Sequence, residues 1–128
     1  MQDGKPLIDD PDFAGRLADA EIELTALEYT ALRMLANEAA RRDSGKEASL
    51  LKIKGTELNQ RLNELSCEVA GYAALPFEHL PDAGNEKLLS DVVGPGLMKA
   101  MLFGRAKSIW GGSNEIQHNL IAKHVLGL

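Results

Sequence analysis

The residues best suited to chemistry lie near the end of the chain, in Trp110-Gly111-Gly112-Ser113-Asn114-Glu115-Ile116-Gln117. A Gly-Gly turn feeding a Ser-capped helix presents free backbone N–H groups at the positive end of that helix. Such an end suits a phosphate, a carbonyl oxygen or another partial negative charge. Trp110 adds a flat apolar wall fit for a ring or an acyl chain. The same residues also describe an ordinary corner between two helices with a packed tryptophan, and residue types alone leave both readings open.

Other reactive residue types are scattered. His118 and His124 stand six apart on an expected helix, on different faces, so they form no metal pair; with His79 they read as surface or structural residues. Cys67 has no neighbouring cation to activate its thiol and reads as a packing residue. Gly94-Pro95-Gly96 resembles the start of a dinucleotide fingerprint, but Lys99 takes the place of the third glycine and no strand precedes it. Asp19, Glu21, Glu23 and Glu28 read as a solvated acidic face. Glu68, near Gly71 at a helix end, reads on its own as a surface residue.

These residues must be positioned by helices. Asp9-Asp10-Pro11 supplies a cap followed by proline at the first helical position. Leu17, Ala20, Leu24, Leu27, Ala31 and Met34 then recur at steps of three and four, predicting a helix over 11–42, with Arg41 and Arg42 at its negative end. Asp43-Ser44-Gly45 breaks it. Leu51, Gly55, Leu58, Leu62, Leu65, Val69 and Tyr72 predict a second helix over 46–73. Gly55 and Gly71 fall inside that pattern and suggest close helix approach or backbone proximity to a ligand. Residues 74–96 are irregular, with a short helix expected over 85–93. A third helix is predicted over 97–109 and a last one from a Ser113 cap over 113–126. Two helices of about 30 residues, each roughly 45 Å long at about 1.5 Å per residue, fold back on each other to start an all-α bundle.

Composition bounds the rest. The chain has 128 residues, enough for one domain with one modest core. Low aromatic content, with frequent Ala, Leu and Glu, favours helices over sheet. A formal net charge of −5 argues against nonspecific binding to nucleic acid or to an anionic membrane. No apolar run is long enough to span a bilayer, so no membrane insertion is expected. The lone cysteine and the polar N-terminus suit a cytoplasmic protein.

The run Arg105-Ala-Lys-Ser-Ile-Trp-Gly-Gly-Ser-Asn-Glu-Ile-Gln117, with the helix that follows to Leu126-Gly127-Leu128, resembles the end of acyl-CoA dehydrogenases. The family version reads Arg, then Ile-Tyr-Gly-Gly-Thr/Ser-Asn-Glu-Ile-Gln, then a helix ending in Leu-Gly. The stretches 4–13, 47–58 and 65–71 are also similar to the family's C-terminal helical domain, so the likeness spans nearly the whole chain.

The resemblance implies a four-helix up-and-down bundle over 1–128, an incomplete version of that domain. The family's N-terminal helical and middle β domains, and the first helix of the last domain, are missing from the sequence, which suggests a piece of a longer chain. In the family, FAD lies between the middle and C-terminal domains and reaches a neighbouring subunit's bundle. The reaction is α,β-dehydrogenation of an acyl-CoA substrate, and electrons leave to electron-transfer flavoprotein. A homo-oligomer is implied. Trp110 matches an aromatic that borders the acyl pocket, with Gly111 and Gly112 beside it. Gly111 matches a position that is the catalytic Glu in several branches, and its N–H matches a donor to the thioester carbonyl. Ser113 and Glu115 match flavin contacts. Glu68 and Gly71 match a Gln-x-x-Gly segment near the adenosine half of a neighbouring subunit's FAD, with Glu in place of Gln. Glycine at 111 cannot take a proton, so the residues carry no catalytic base, and the expectation is that this chain alone does not turn over. The competing expectation is a stand-alone helical oligomerisation module without catalysis.

Overall fold

The structure, a computed structural model, describes residues 5–41, 47–75 and 96–128. The expected break at Asp43-Ser44-Gly45, the short helix over 85–93, Gly94-Pro95 and His79 lie outside the described residues. Those described are helical: α1 (Pro11–Ala39), α2 (Ala48–Ala70), α3 (Leu97–Gly104) and α4 (Asn114–Ile121).

Helix α1 starts where the sequence places it. Pro11 is its first residue, and the Asp10 carboxylate accepts from the Asp12 and Phe13 N–H groups at 2.9 and 3.4 Å, satisfying donors that the first turn leaves free. The helix ends at Ala39, and Arg41 follows at a left-handed φ of 54°. Helix α2 ends at Gly71, whose φ of 56° and ψ of −132° suit only glycine. Gly71 therefore terminates the helix instead of sitting inside it, and a 3-10 turn, Gly71–Ala74, continues the chain. The helix expected over 97–109 tightens after Gly104 into a 3-10 turn, Arg105–Ser108. The last one ends in a π turn, Ala122–Leu126.

The all-α bundle is built around α2, against which each other helix packs. On one side lies α1, antiparallel to it. Phe13 and Ala20 of α1 meet Leu58 and Leu65 of α2 in the core, with Leu7, Leu27 and Leu62 at its edge. The α1 seam thus follows 13, 20, 27 and 34. Leu17 and Leu24, expected in the core, are exposed because the intervening seam positions belong to Arg16 and Glu23. Glu23 consequently leaves the solvated acidic face and pairs with Arg61 at 3.2 Å. Val69 and Tyr72 are likewise exposed, while Ile53, which lies between the expected positions Leu51 and Gly55, is buried.

Ion pairs close both ends of the hairpin. Arg33 meets Glu47 at 2.9 Å. Arg16 clasps Glu68 with two parallel bonds of 2.7 Å, the fork geometry that favours arginine over lysine. The Arg16 hydrogen bond holds the Glu68 carboxyl below the usual glutamate range. A carboxylate whose folded-state pKa is depressed adds stability above its unfolded pKa and loses it as pH falls through the folded one. Glu68→Gln is therefore expected to flatten the acid limb of the stability profile, most visibly just below the ordinary glutamate range. Urea unfolding across that range reads this out, and parallel profiles for the two proteins would contradict it.

On the other side of α2, α3 runs antiparallel to it. Asn63 donates to the Ala100 carbonyl at 3.5 Å, Arg105 bonds Gln60 at 3.3 Å and Glu64, and Lys107 donates to Asn59 at 2.9 Å. The close approach expected at Gly55 occurs instead at Gly104. A Cβ at Gly104 would stand 2.8 Å from the Asn63 amide nitrogen, while one at Gly55 would meet nothing within 4 Å. No helix among the described residues is long and apolar enough to cross a membrane.

Candidate functional site at the Trp110–Gln117 turn

The descent of α3 along α2 delivers the chain to the turn. The Ile109 and Trp110 N–H groups both donate to the Ala106 carbonyl, at 2.9 and 3.1 Å. Regular bonding then stops. Gly111 and Gly112 take φ of 66° and 90°, which reverses the chain where L-residues are strained. Among the described residues nothing accepts from the Gly111 N–H, and open space surrounds the place a Cβ would occupy there. A ligand can approach that backbone closely. At Gly112 a Cβ would lie 2.8 Å from the Gln117 amide nitrogen. That amide donates to the Gly111 carbonyl at 3.3 Å and so holds the turn against α4.

Ser113 caps α4 as its sequence suggests, accepting from the Ile116 N–H at 3.4 Å. Glu115 sits in the first turn, where a negative charge opposes the helix dipole. The Ser113 hydroxyl and the residue's own N–H keep its carboxyl below the usual range. Trp110 is half exposed and meets Phe103 edge-on, ring centres 4.9 Å apart at 70°. With Ile109, also exposed, the two rings form an apolar wall beside the free donor.

The turn is anchored from below by residues that sequence reasoning passed over. Lys52 on α2 donates to the Ser108 carbonyl at 3.1 Å and to the Asn114 side-chain oxygen at 2.7 Å. The Asn114 amide reaches the Thr56 hydroxyl at 3.3 Å, and that hydroxyl donates to the Ile53 carbonyl at 2.9 Å. The available signal was a Lys and a Thr four apart beside the buried Ile53, polar side chains on an inward face.

The expected site residues fall into two groups. Trp110, Gly111, Gly112, Ser113 and Glu115 come together at the turn. Glu68 and Gly71 do not join them. They lie at the far end of α2, and Glu68 stands about 18 Å along the axis from Thr56 at about 1.5 Å per residue. Both Glu68 oxygens already receive Arg16. Cys67 is half-buried and its thiol is pushed up by that burial, as expected of a packing residue. His118 and His124 are exposed. Among the described residues no cluster of His, Cys, Asp or Glu is fit to hold a metal.

The backbone of the turn is thus able to donate to a carbonyl oxygen beside an apolar wall. The sequence model described as "Acyl-CoA dehydrogenase, C-terminal domain" matches residues 1–126. Acyl-CoA dehydrogenase IpdE1 of Mycolicibacterium smegmatis is 32% identical over 120 residues, covering 94% of this chain and 26% of that protein. Acyl-CoA dehydrogenase IpdE1 of Mycobacterium tuberculosis is 33% identical over 120 residues, covering 94% of this chain and 28% of that protein. The chain spans about a quarter of the length of these relatives. No solved structure matches.

Proposed function

Because the chain belongs to the acyl-CoA dehydrogenase C-terminal-domain family, we propose that it forms the C-terminal part of a FAD-dependent enzyme that oxidises acyl-CoA thioesters to trans-2-enoyl-CoA. The observation that carries this reading is the Gly111 N–H, which has no acceptor among the described residues, at a left-handed turn next to the Trp110 and Phe103 rings. That N–H donates to the thioester carbonyl oxygen. Negative charge grows on this oxygen as the α-proton leaves, so the bond strengthens toward the transition state and lowers the barrier. Trp110 keeps water from the acyl chain. Ser113 and Glu115 offer a hydroxyl and a carboxylate to the polar edge of the flavin, and FAD when bound supplies the acceptor for the β-hydride. Gly111 has no carboxylate, so the proton acceptor is supplied from outside these residues.

The test is to purify the native protein carrying this chain, record its flavin absorbance and assay octanoyl-CoA and a steroid-type CoA ester with an artificial electron acceptor. The reading expects bound flavin and an enoyl product. Protein that stays colourless in excess FAD and forms no product defeats it. The 128-residue chain alone is expected to give no turnover.

One observation favours a second reading, a helical oligomerisation module. Ala18, Ile22, Thr25, Tyr29, Leu32 and Ala36 recur at steps of three and four along an exposed face of α1, the spacing of a helix-pairing seam. Under this reading the chain associates through that face without chemistry. Light scattering on the chain separates the two states: self-association abolished by Tyr29→Glu with Leu32→Glu supports the module, and a monomer at high concentration sinks it.

A further inference from the structure

We infer that Lys52 is a positioning residue for the Gly111 donor, setting the geometry of the turn from outside it. The inference rests on the thioester-donor reading for its catalytic consequence, although the clamp itself stands on geometry alone. One ammonium group holds both ends of the turn. It binds the Ser108 carbonyl at 3.1 Å just before the turn and the Asn114 side chain at 2.7 Å just after it. Gly111 lies midway between these anchors. Two glycines at left-handed φ have no side chains to fix them, so the loop's shape depends on where its ends are pinned.

The clamp is braced by further side-chain bonds to α2. Lys52 can only donate, so it selects the Asn114 oxygen. The Thr56 hydroxyl lies 3.3 Å from both the oxygen and the nitrogen of the Asn114 side chain, and it donates to the Ile53 carbonyl at 2.9 Å. Ile53 is buried, so the last acceptor is fixed in the interior of α2. The three side chains are half-buried, where charge-assisted bonds outweigh those in open water. The effect is to tie the first residue of α4 and the end of the Arg105–Ser108 turn to a single rigid helix. A donor that acts on a growing oxyanion needs this kind of support, since displacement by about 1 Å can cost about 100-fold in rate.

The experiment compares Lys52→Met and Lys52→Arg with wild type in the native protein, by amide exchange at Trp110 and Gln117, the hydrogen-bonded amides on either side of the glycines, and by steady-state kinetics. Lys52→Met is expected to speed exchange at the Trp110 and Gln117 amides, which are bonded to the Ala106 and Ser113 carbonyls, by about 10- to 100-fold, the scale of a lost charge-assisted bond, while Leu58 and Leu65 amides keep their protection. The same variant should lower kcat by about 10- to 100-fold with KM changed less than about threefold, the pattern of lost transition-state stabilisation. Lys52→Arg, which retains the charge and the donors, should recover most of both. Unchanged exchange at Trp110 and Gln117 overturns the clamp. Faster exchange with unaltered kcat overturns the positioning role. If wild type itself has no turnover, the proposed function fails while the exchange result still decides the clamp. Should Lys52→Met not fold, Asn114→Ala removes one anchor and is judged by the same readouts.

Discussion

Leu58→Ala is expected to lower the stability of the fold by about 3 to 5 kcal/mol, the upper part of the range for truncated core leucines. Leu58 is 2% exposed and sits between Phe13, Ala20 and Leu65. The size of the effect follows from how little else is buried. Among the described residues only Phe13, Ala20, Ile53, Leu58, Leu65 and Ala74 are buried hydrophobics. Two of these are alanines and supply little area. The cavity would open where α1 crosses α2, and the Arg16–Glu68 and Arg33–Glu47 pairs at the hairpin ends resist the collapse that would fill it. Domains of this size hold only about 5 to 15 kcal/mol in all, so the variant should lose a large share of the total. Urea unfolding followed by circular dichroism measures it. Leu32→Ala, at a position 53% exposed, is the comparison and should change stability by less than about 0.5 kcal/mol. Equal losses at the two positions would mean that the α1–α2 seam is not the core.

What could be read from the sequence was whatever is decided within one or two turns of chain. Asp10-Pro11 and Ser113 cap helices because the groups involved are two or three residues apart. The Gly-Gly reversal is equally local. The seam of α1 was misread at Leu17 and Leu24 because steps of three and four define a stripe only to within one residue, and here the neighbours Arg16 and Glu23 were drawn inward by partners on α2. Those partners, Glu68 and Arg61, lie far along the chain, and no periodicity in one helix reveals them. Lys52 was missed for the same reason, since its acceptors Ser108 and Asn114 are 56 and 62 residues away. Glycines show the limit in another form. Gly55 and Gly104 look alike in sequence, yet of the two only Gly104 has a neighbour, the Asn63 amide, that would have to shift to admit a Cβ. The turn motif was legible because its geometry is made by its own residues, whereas the support beneath it belongs to a different helix.

That division makes Gly112 the position where the largest functional loss is expected. At φ of 90° an L-residue is strained by about 1 to 2 kcal/mol, and the new Cβ would lie 2.8 Å from the Gln117 amide nitrogen. Gln117 must swing away, which breaks its 3.3 Å bond to the Gly111 carbonyl and frees the Gly111–Gly112 peptide, next to the one that carries the donor. Under the proposed function, Gly112→Ala in the native protein should lower kcat by about 100- to 1,000-fold, the loss measured when an oxyanion donor is removed. Gly111→Ala is the milder change. Its φ of 66° is also strained, but a Cβ there meets nothing within 4 Å, so the strain stands without the clash. Gln117→Ala removes the same bond without the strain, so it should lower kcat by less, and adding it to Gly112→Ala should cost little more, a coupling that a double-mutant cycle reads directly. Should Gly112→Ala retain kcat within about threefold of wild type, the turn does not deliver the donor. The wall of Trp110 and Phe103 would then be packing, and the ordinary helix corner would be the better account of these residues.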